Sequence, residues 1–148
     1  MEFSDNFVVK TSSESVWELF WDFPRLALLL PGCKKIEVVD DTHFRAELEQ
    51  RVGPFKVKFD TLLAVGEIVQ GKRIVASGEG KDSMGNRLRI TSVELELQPV
   101  STEETQISYR VEFTLFGRLG TLGYPVIKRK AQGMGQEFSE NIVKSLQG

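Results

Sequence analysis

The chain has 148 residues, of which 41% are hydrophobic and 27% are charged, and its formal net charge is −2. These values are typical of one globular domain spanning 1–148 and exclude a disordered or membrane-embedded chain. The slightly negative charge gives no long-range attraction to DNA, RNA or an acidic membrane, so we expect no nucleic-acid partner.

The sequence carries no mark of export or membrane insertion. Its single cysteine, Cys33, cannot form an internal disulfide, which favours a reducing compartment such as the cytoplasm. The N-terminus lacks the basic and apolar regions of a signal peptide. The longest apolar run, residues 26–31, is far shorter than the roughly 18 residues that span a bilayer, so we expect no transmembrane segment.

The first third of the chain predicts one strand and two short helices. Residues 2–10 have a β-type pattern that ends at a Thr-Ser-Ser cluster. A serine N-cap and an apolar stripe predict an amphipathic helix over 13–21. Pro24 suits a first helical turn, and the apolar segment after it ends at Pro31-Gly32, which predicts a second short helix.

From Cys33 onward the apolar residues recur at every second position, as they do in strands. Two strands joined by a turn at 40–42 come first. A long strand starts after Gly53-Pro54, and the last three strands cover 72–81, 86–98 and 104–116. A phase change in the second of these predicts a β-bulge near Thr91-Ser92 that helps the sheet to curl.

A helical period returns at about residue 118 and continues to 147, with Pro125 starting or kinking the helix. The element order, with tight turns between consecutive strands, defines the class as α+β. A seven-stranded antiparallel sheet with one apolar face needs a cover, and only 118–147 is long enough to provide it. We therefore expect a helix-grip fold, in which a curved sheet wraps around the C-terminal helix.

Several short segments, in this order, resemble the family of the carbon monoxide dehydrogenase G protein, its G-type subunit, over essentially the whole chain. This family belongs to the larger group of START-like, birch-pollen-allergen-like and polyketide-cyclase-like helix-grip domains. The matching segments are Glu14-Ser15-Val16-Trp17, Leu30-Pro31-Gly32-Cys33 with Ile36-Glu37, Val52-Gly53-Pro54-Phe55-Lys56, Gly78-Glu79-Gly80 and Phe116-Gly117-Arg118-Leu119-Gly120.

The resemblance implies a domain that binds a hydrophobic molecule, such as a lipid or a quinone. It also implies a link to the maturation or membrane association of molybdenum-containing carbon monoxide dehydrogenase-like enzymes. Fuller family members carry a hydrophobic C-terminal anchoring tail, whereas this chain ends at Leu146-Gln147-Gly148. We therefore expect at most peripheral contact with a membrane.

The sequence offers no convergent set of catalytic or metal-binding residues. A hydrolytic triad needs a histidine beside a nucleophile, and the single histidine, His43, lies at a predicted turn. His43 and Cys33 are too few for a zinc site, so no metal and no cofactor are expected. The Gly78 and Gly117 pairs lack the spacing of a phosphate loop and are interpreted as backbone features, and Gly133 and Gly135 as points where the helix approaches the sheet.

The apolar faces of the predicted strands and helix supply candidates for the wall of a ligand cavity, although most of them would be core residues in any fold. Tyr109 adds a hydroxyl that could bind a ligand or act as an acid. The candidate ligand-binding residues are Phe59, Leu63, Ala76, Ile90, Tyr109, Val111, Phe113, Met134 and Phe138.

Two groups of residues could instead act at the surface. Lys128-Arg129-Lys130 with Arg118 forms a basic group that could touch lipid or protein, although a solvated helix face explains it as well. Trp17 and Trp21, four residues apart, either seal one end of the cavity or face a partner.

Three functions remain open. The leading hypothesis is a non-catalytic binding or carrier domain for a hydrophobic small molecule. The first alternative is an enzyme of the cyclase/dehydrase type, which requires polar groups such as Tyr109, Arg89 or Glu96 to converge inside the cavity. The second is an assembly factor that uses its surface to contact a molybdenum-enzyme complex or its assembly machinery.

Overall fold

A computed structural model describes residues 1–147, and their seven strands form one antiparallel sheet in the order β1-β7-β6-β5-β4-β3-β2. The strands are β1 Glu2–Val9, β2 Cys33–Val38, β3 His43–Val52, β4 Phe55–Val69, β5 Arg73–Lys81, β6 Arg87–Ser101 and β7 Glu104–Phe116. The helices are α1 Ser13–Trp21, α2 Phe23–Leu28 and α3 Tyr124–Gln147, with a 3-10 turn at Arg118–Thr121. The predicted α+β helix-grip fold is confirmed.

Both short helices start where the sequence provides a cap. The Ser12 hydroxyl accepts a hydrogen bond from the Ser15 backbone N–H at 3.3 Å. The Asp22 carboxylate accepts one from the Arg25 N–H at 3.4 Å, and Pro24 occupies the first turn of α2. Each cap satisfies one of the amide groups that a helix leaves free at its start.

Irregularities in strand pairing allow the sheet to curve. The β6–β7 register shifts between Ile90 and Ser92, which confirms the predicted bulge. A second shift lies between Ala76 and Gly78 in the β5–β6 pairing. An extra residue in one strand bends it and increases its twist, so the two shifts curl the middle of the sheet around α3.

The terminal helix begins later than the sequence pattern predicted. Residues 118–121 form a 3-10 turn of their own, and Gly123 then adopts a φ of +89°. This left-handed conformation interrupts the helix and favours glycine. Pro125 is the second residue of α3, a position that needs no backbone N–H donor, so it starts the helix and does not kink it.

A buried asparagine fixes the chain that leads into α3. Asn86, 2% exposed in the β5–β6 turn, accepts a hydrogen bond from the Leu119 N–H at 3.1 Å and donates one to Asp82 at 2.8 Å. Gly117 passes so close to Asn86 that a Cβ there would lie 2.8 Å from the amide oxygen. These contacts hold the 3-10 turn against the end of the sheet.

Among residues 1–147, none of the helices has both the length and the apolar character needed to cross a bilayer.

Candidate functional site

The concave face of the sheet carries two separate clusters of buried apolar side chains. The first joins β1, α1, α2, β5, β6, β7 and the second half of α3 through Val9, Val16, Leu19, Phe20, Leu26, Ile74, Leu95, Leu97, Ile107, Phe138 and Ile142. The second joins β3, β4, the 3-10 turn and the first half of α3 through Val52, Val57, Phe59, Leu119 and Ile127. Because α3 contributes buried residues to both clusters, it crosses the concave face from one to the other.

A central stretch of the concave face lies between the two clusters. Its apolar side chains are only half-buried and belong to neither cluster, and they are Leu63, Ala76, Ile90, Val93, Val111 and Met134. Strand register places Gly78 between Leu63 and Ile90, and pairs Val93 with Val111. Met134 shares a helical stripe with Ile127 and Phe138, so it faces this central stretch from α3.

Small residues form the floor of the central stretch. A Cβ at Gly78 would lie 2.9 Å from the Leu63 side chain and 3.0 Å from the Leu62 carbonyl oxygen. A Cβ at Gly80 would lie 2.5 Å from the Thr61 hydroxyl, which is buried and has no hydrogen-bond partner within residues 1–147. The glycines therefore permit close packing of neighbouring strands, in agreement with their predicted role as backbone features.

A groove of about 750 Å³ opens between the edge strand β1 and α3. Phe3, which lines it, pairs with Val111, so the groove adjoins the central stretch. Its volume falls within the range of roughly 300–1,000 Å³ that small-molecule sites occupy. Its lining consists of Phe3, Ser4, Asp5, Asn6, Phe7 and Val8 from β1, Tyr109 from β7, and Ala131, Gln132, Gln136, Ser139, Glu140, Val143 and Lys144 from α3.

Tyr109 lies where the groove meets the helix. A Cβ at Gly135 would collide with the Tyr109 hydroxyl, so glycine allows α3 to approach this side chain. Asp5 pairs directly with Tyr109, and residues opposite each other in antiparallel strands share a face. Burial, and to a lesser extent the Asp5 charge, raises the pKa of Tyr109, so the phenol stays protonated at neutral pH.

The two glycines in α3 therefore differ from each other. Gly135 has the predicted role at the approach of the helix to the sheet. A Cβ at Gly133 would meet no other atom within 4 Å, so the prediction that Gly133 is a point of close approach is wrong.

The nine predicted cavity residues fall into four places. Phe59 belongs to the second cluster and Phe138 to the first. Phe113 packs against the second cluster and stacks on Phe3 at 5.7 Å between ring centroids. Tyr109 lines the groove. The remaining five line the central stretch, namely Leu63, Ala76, Ile90, Val111 and Met134.

Sequence reasoning missed the residues of β1 and the polar face of α3 that line the groove. Phe3 and Phe7 were assigned to a strand, but the sequence does not reveal that this strand is at the edge of the sheet beside α3. The recurrence of Gln132, Gln136, Ser139 and Val143 at helical spacing is the one available signal. It marks a mixed polar and apolar stripe next to the buried one.

The polar residues proposed for catalysis do not converge with Tyr109. Arg89 lies on the outer face of the sheet, with its guanidinium 3.6 Å from Glu79. Glu96 also points outward, 3.6 Å from Arg73. Two of the three groups that the cyclase hypothesis requires are therefore on the opposite side of the sheet.

The potential nucleophiles and metal ligands are also dispersed. His43 pairs with Asp40 at 2.9 Å in the exposed β2–β3 turn. Burial raises the pKa of the Cys33 thiol, which keeps it protonated and a poor nucleophile at neutral pH. Within residues 1–147 no three His, Cys, Asp or Glu side chains are grouped so as to hold a metal ion.

The two tryptophans differ in environment. Trp17 packs against the first cluster, and its buried indole N–H has no acceptor within residues 1–147. Trp21 is 54% exposed and continues an aromatic row from Trp17 to Phe23 and Phe44, with centroid distances of 6.2, 6.0 and 5.6 Å. Trp17 therefore helps to close one end of the concave face, whereas Trp21 faces outward.

A curved antiparallel sheet, a helix across its concave face and a groove beside that helix define a START-like helix-grip protein. Solved structures with this fold include a START superfamily protein from Mycobacterium smegmatis, with 13% identity, a TM-score of 0.77, and coverage of 99% of this chain and 97% of the other. The Zhui aromatase/cyclase from a Streptomyces species has 13% identity, a TM-score of 0.66, and coverage of 99% and 90%. A conserved protein from Geobacillus kaustophilus has 20% identity, a TM-score of 0.89, and coverage of 99% and 95%.

The family model of CoxG, the carbon monoxide dehydrogenase G protein, matches residues 6–147. The chain belongs to this family, and the resemblance noted from its sequence is confirmed. No curated protein sequence matches the chain.

Proposed function

We propose that this protein binds a hydrophobic small molecule, without transforming it, along the central stretch and the adjoining groove. The observation that carries this proposal is the half-buried state of apolar side chains in the middle of the concave face, between two clusters that are well packed. A ligand placed there would remove apolar surface from water, at roughly 25 cal/mol for each Å². The absence of converging acid, base or nucleophile among residues 1–147 supports a carrier over an enzyme.

Native mass spectrometry of the purified protein, followed by denaturing extraction, tests this proposal. We expect an apolar compound to be released and identified. A protein that is empty and shows no thermal shift with fatty acids, quinones or polyketide-like aromatics would contradict it.

A matched pair of variants on β7 locates the site. Val111→Trp fills the central stretch and should abolish ligand retention. Thr114→Trp adds the same side chain on the exposed outer face of the same strand and should leave retention unchanged. Circular dichroism of both variants checks that the fold is intact. Equal retention by the two would place the ligand elsewhere.

Family membership and the exposure of Trp21 support a second proposal, that the protein acts in the cytoplasm on a molybdenum-containing carbon monoxide dehydrogenase-like complex or its assembly machinery. Such a partner would cover the outward-facing aromatic side chain, since tryptophan is enriched among the residues that dominate binding energy. Trp21→Ala should then weaken co-purification with the enzyme. The control is Met84→Ala, which truncates an apolar side chain that is 70% exposed in the β5–β6 turn.

A further inference from the structure

The groove beside α3 holds an unbalanced set of charges. Three charged side chains line it, and two of them, Asp5 and Glu140, are acidic, whereas Lys144 is basic. Glu140 accepts a hydrogen bond from the Gln136 side chain at 3.4 Å. None of the three takes part in an ion pair within residues 1–147. The groove therefore presents a net negative charge to a ligand.

Asp5 differs from the carboxylate at the start of the same strand. Glu2, on the outer face of β1, pairs with Arg110 at 3.0 Å. Asp5 instead accepts one hydrogen bond, from the backbone N–H of Asn6 at 2.8 Å, which leaves most of its acceptor capacity free. Its cross-strand neighbour is Tyr109, whose hydroxyl has no hydrogen-bond partner among residues 1–147. A carboxylate and a free phenol thus lie side by side where the groove adjoins the apolar central stretch.

The one cationic side chain that the described residues contribute to the groove is distant from this pair. Gly135 marks the position of the Tyr109 hydroxyl on α3, and Lys144 lies roughly two and a half turns further along the helix. Glu140 lies between the two positions on the groove face. A negatively charged group beside Asp5 and Tyr109 would meet Asp5 directly, with Glu140 closer than Lys144.

Building on the proposed function, we propose that this groove selects amphiphiles whose polar end is an uncharged or cationic hydrogen-bond donor, an alcohol or an amine, and disfavours carboxylates. Asp5 accepts the donor hydrogen, Tyr109 provides a second polar contact, and the apolar tail extends past Phe3 toward Val111. Each polar contact uses a group with free hydrogen-bonding capacity in the part of the chain that the structure describes.

Three ligands that share a dodecyl chain and differ only at the polar end test the selection, namely dodecanol, dodecylamine and dodecanoate. Binding to the full chain at pH 7 is measured by isothermal titration below the micellar concentration. We expect dodecanol and dodecylamine to bind and dodecanoate to bind about tenfold more weakly, since one like-charge contact at a partly exposed site is worth on the order of one decade in Kd.

Asp5→Asn should reduce this discrimination by strengthening dodecanoate binding and weakening dodecylamine binding, with dodecanol little changed. Glu2→Gln, which removes a carboxylate from the outer face of the same strand, is the control and should leave all three affinities unchanged.

The outcomes separate the two proposals. If none of the three ligands binds, the proposed function fails and the selection fails with it. If dodecanoate binds as tightly as dodecylamine, only the selection is overturned. If in addition Lys144→Gln weakens dodecanoate binding, Lys144 and not Asp5 sets the preference of the groove.

Discussion

The first apolar cluster and the central stretch share one face of one sheet and similar side chains, but they differ in burial. Leu19 and Ile107 in the first cluster are 0% exposed. Leu63 and Ile90 in the central stretch remain half-buried. The helices α1 and α2 cover the first cluster, whereas α3 crosses the centre. An apolar side chain is thus core where a second layer covers it and available to a ligand where the cover is incomplete.

Matched leucine truncations test this difference most directly. Leu19→Ala should destabilise the protein by about 3 kcal/mol or more, because it leaves a cavity in a closely packed cluster. Leu63→Ala should cost only about 1–2 kcal/mol, since its surroundings are already open. Urea denaturation measures both. Equal losses would show that the central stretch is packed like the ends.

The buried asparagine that fixes the entry to α3 is expected to matter next. Asn86→Ala leaves the buried Leu119 N–H without its acceptor and should cost about 2 kcal/mol. Met84→Ala in the same turn, at an exposed position, should stay within about 0.5 kcal/mol of the wild type. Thermal and urea unfolding compare the two. A neutral Asn86→Ala would mean that the 3-10 turn is held by apolar packing alone.

The two glycines in α3 provide an internal comparison along one helix. Gly133→Ala should stabilise the protein by roughly 0.5–1 kcal/mol, because alanine favours helix and no neighbouring atom lies within 4 Å of the added Cβ. Gly135→Ala should destabilise it, because the Cβ collides with the Tyr109 hydroxyl. Unfolding free energies of both variants, repeated in a Tyr109→Phe background, measure this contact. The Gly135→Ala penalty should shrink in that background and the Gly133→Ala gain should not.

The smallest effect is expected outside both regions, in the β2–β3 turn. Hydrogen bonds from the Thr42 backbone and the His43 side chain lower the pKa of Asp40 from 3.8 to about 2. Because the unfolded chain binds more protons between these values, this contribution is complete above about pH 3.8 and is lost as the pH falls toward 2. Asp40→Asn should therefore be slightly less stable than the wild type at neutral pH, with the difference vanishing near pH 2.

Urea denaturation as a function of pH measures the Asp40 effect, with Asp41→Asn in the same turn as the control. A difference between wild type and Asp40→Asn that persists at pH 2 would show that the carboxylate charge is not its cause.

The order of elements, the alternation in the strands, the bulge near residue 91 and the family were all available from the sequence, because periodicity and turn residues report local structure. The apolar pattern also predicted which residues face the concave side. It could not tell Phe59 and Phe138, which are core, from Ile90 and Val111, which line the central stretch, because the same side chains serve both purposes.

Only the tertiary structure decided where the face is left uncovered and where it opens. The groove combines β1, from the start of the chain, with α3, from its end, and this neighbourhood depends on β1 pairing with β7 at the edge of the sheet. It brings Asp5 beside Tyr109 and places Arg89 and Glu96 on the opposite face. Sequence pattern gives each residue a face on its own element, whereas the site depends on contacts between elements distant in the chain.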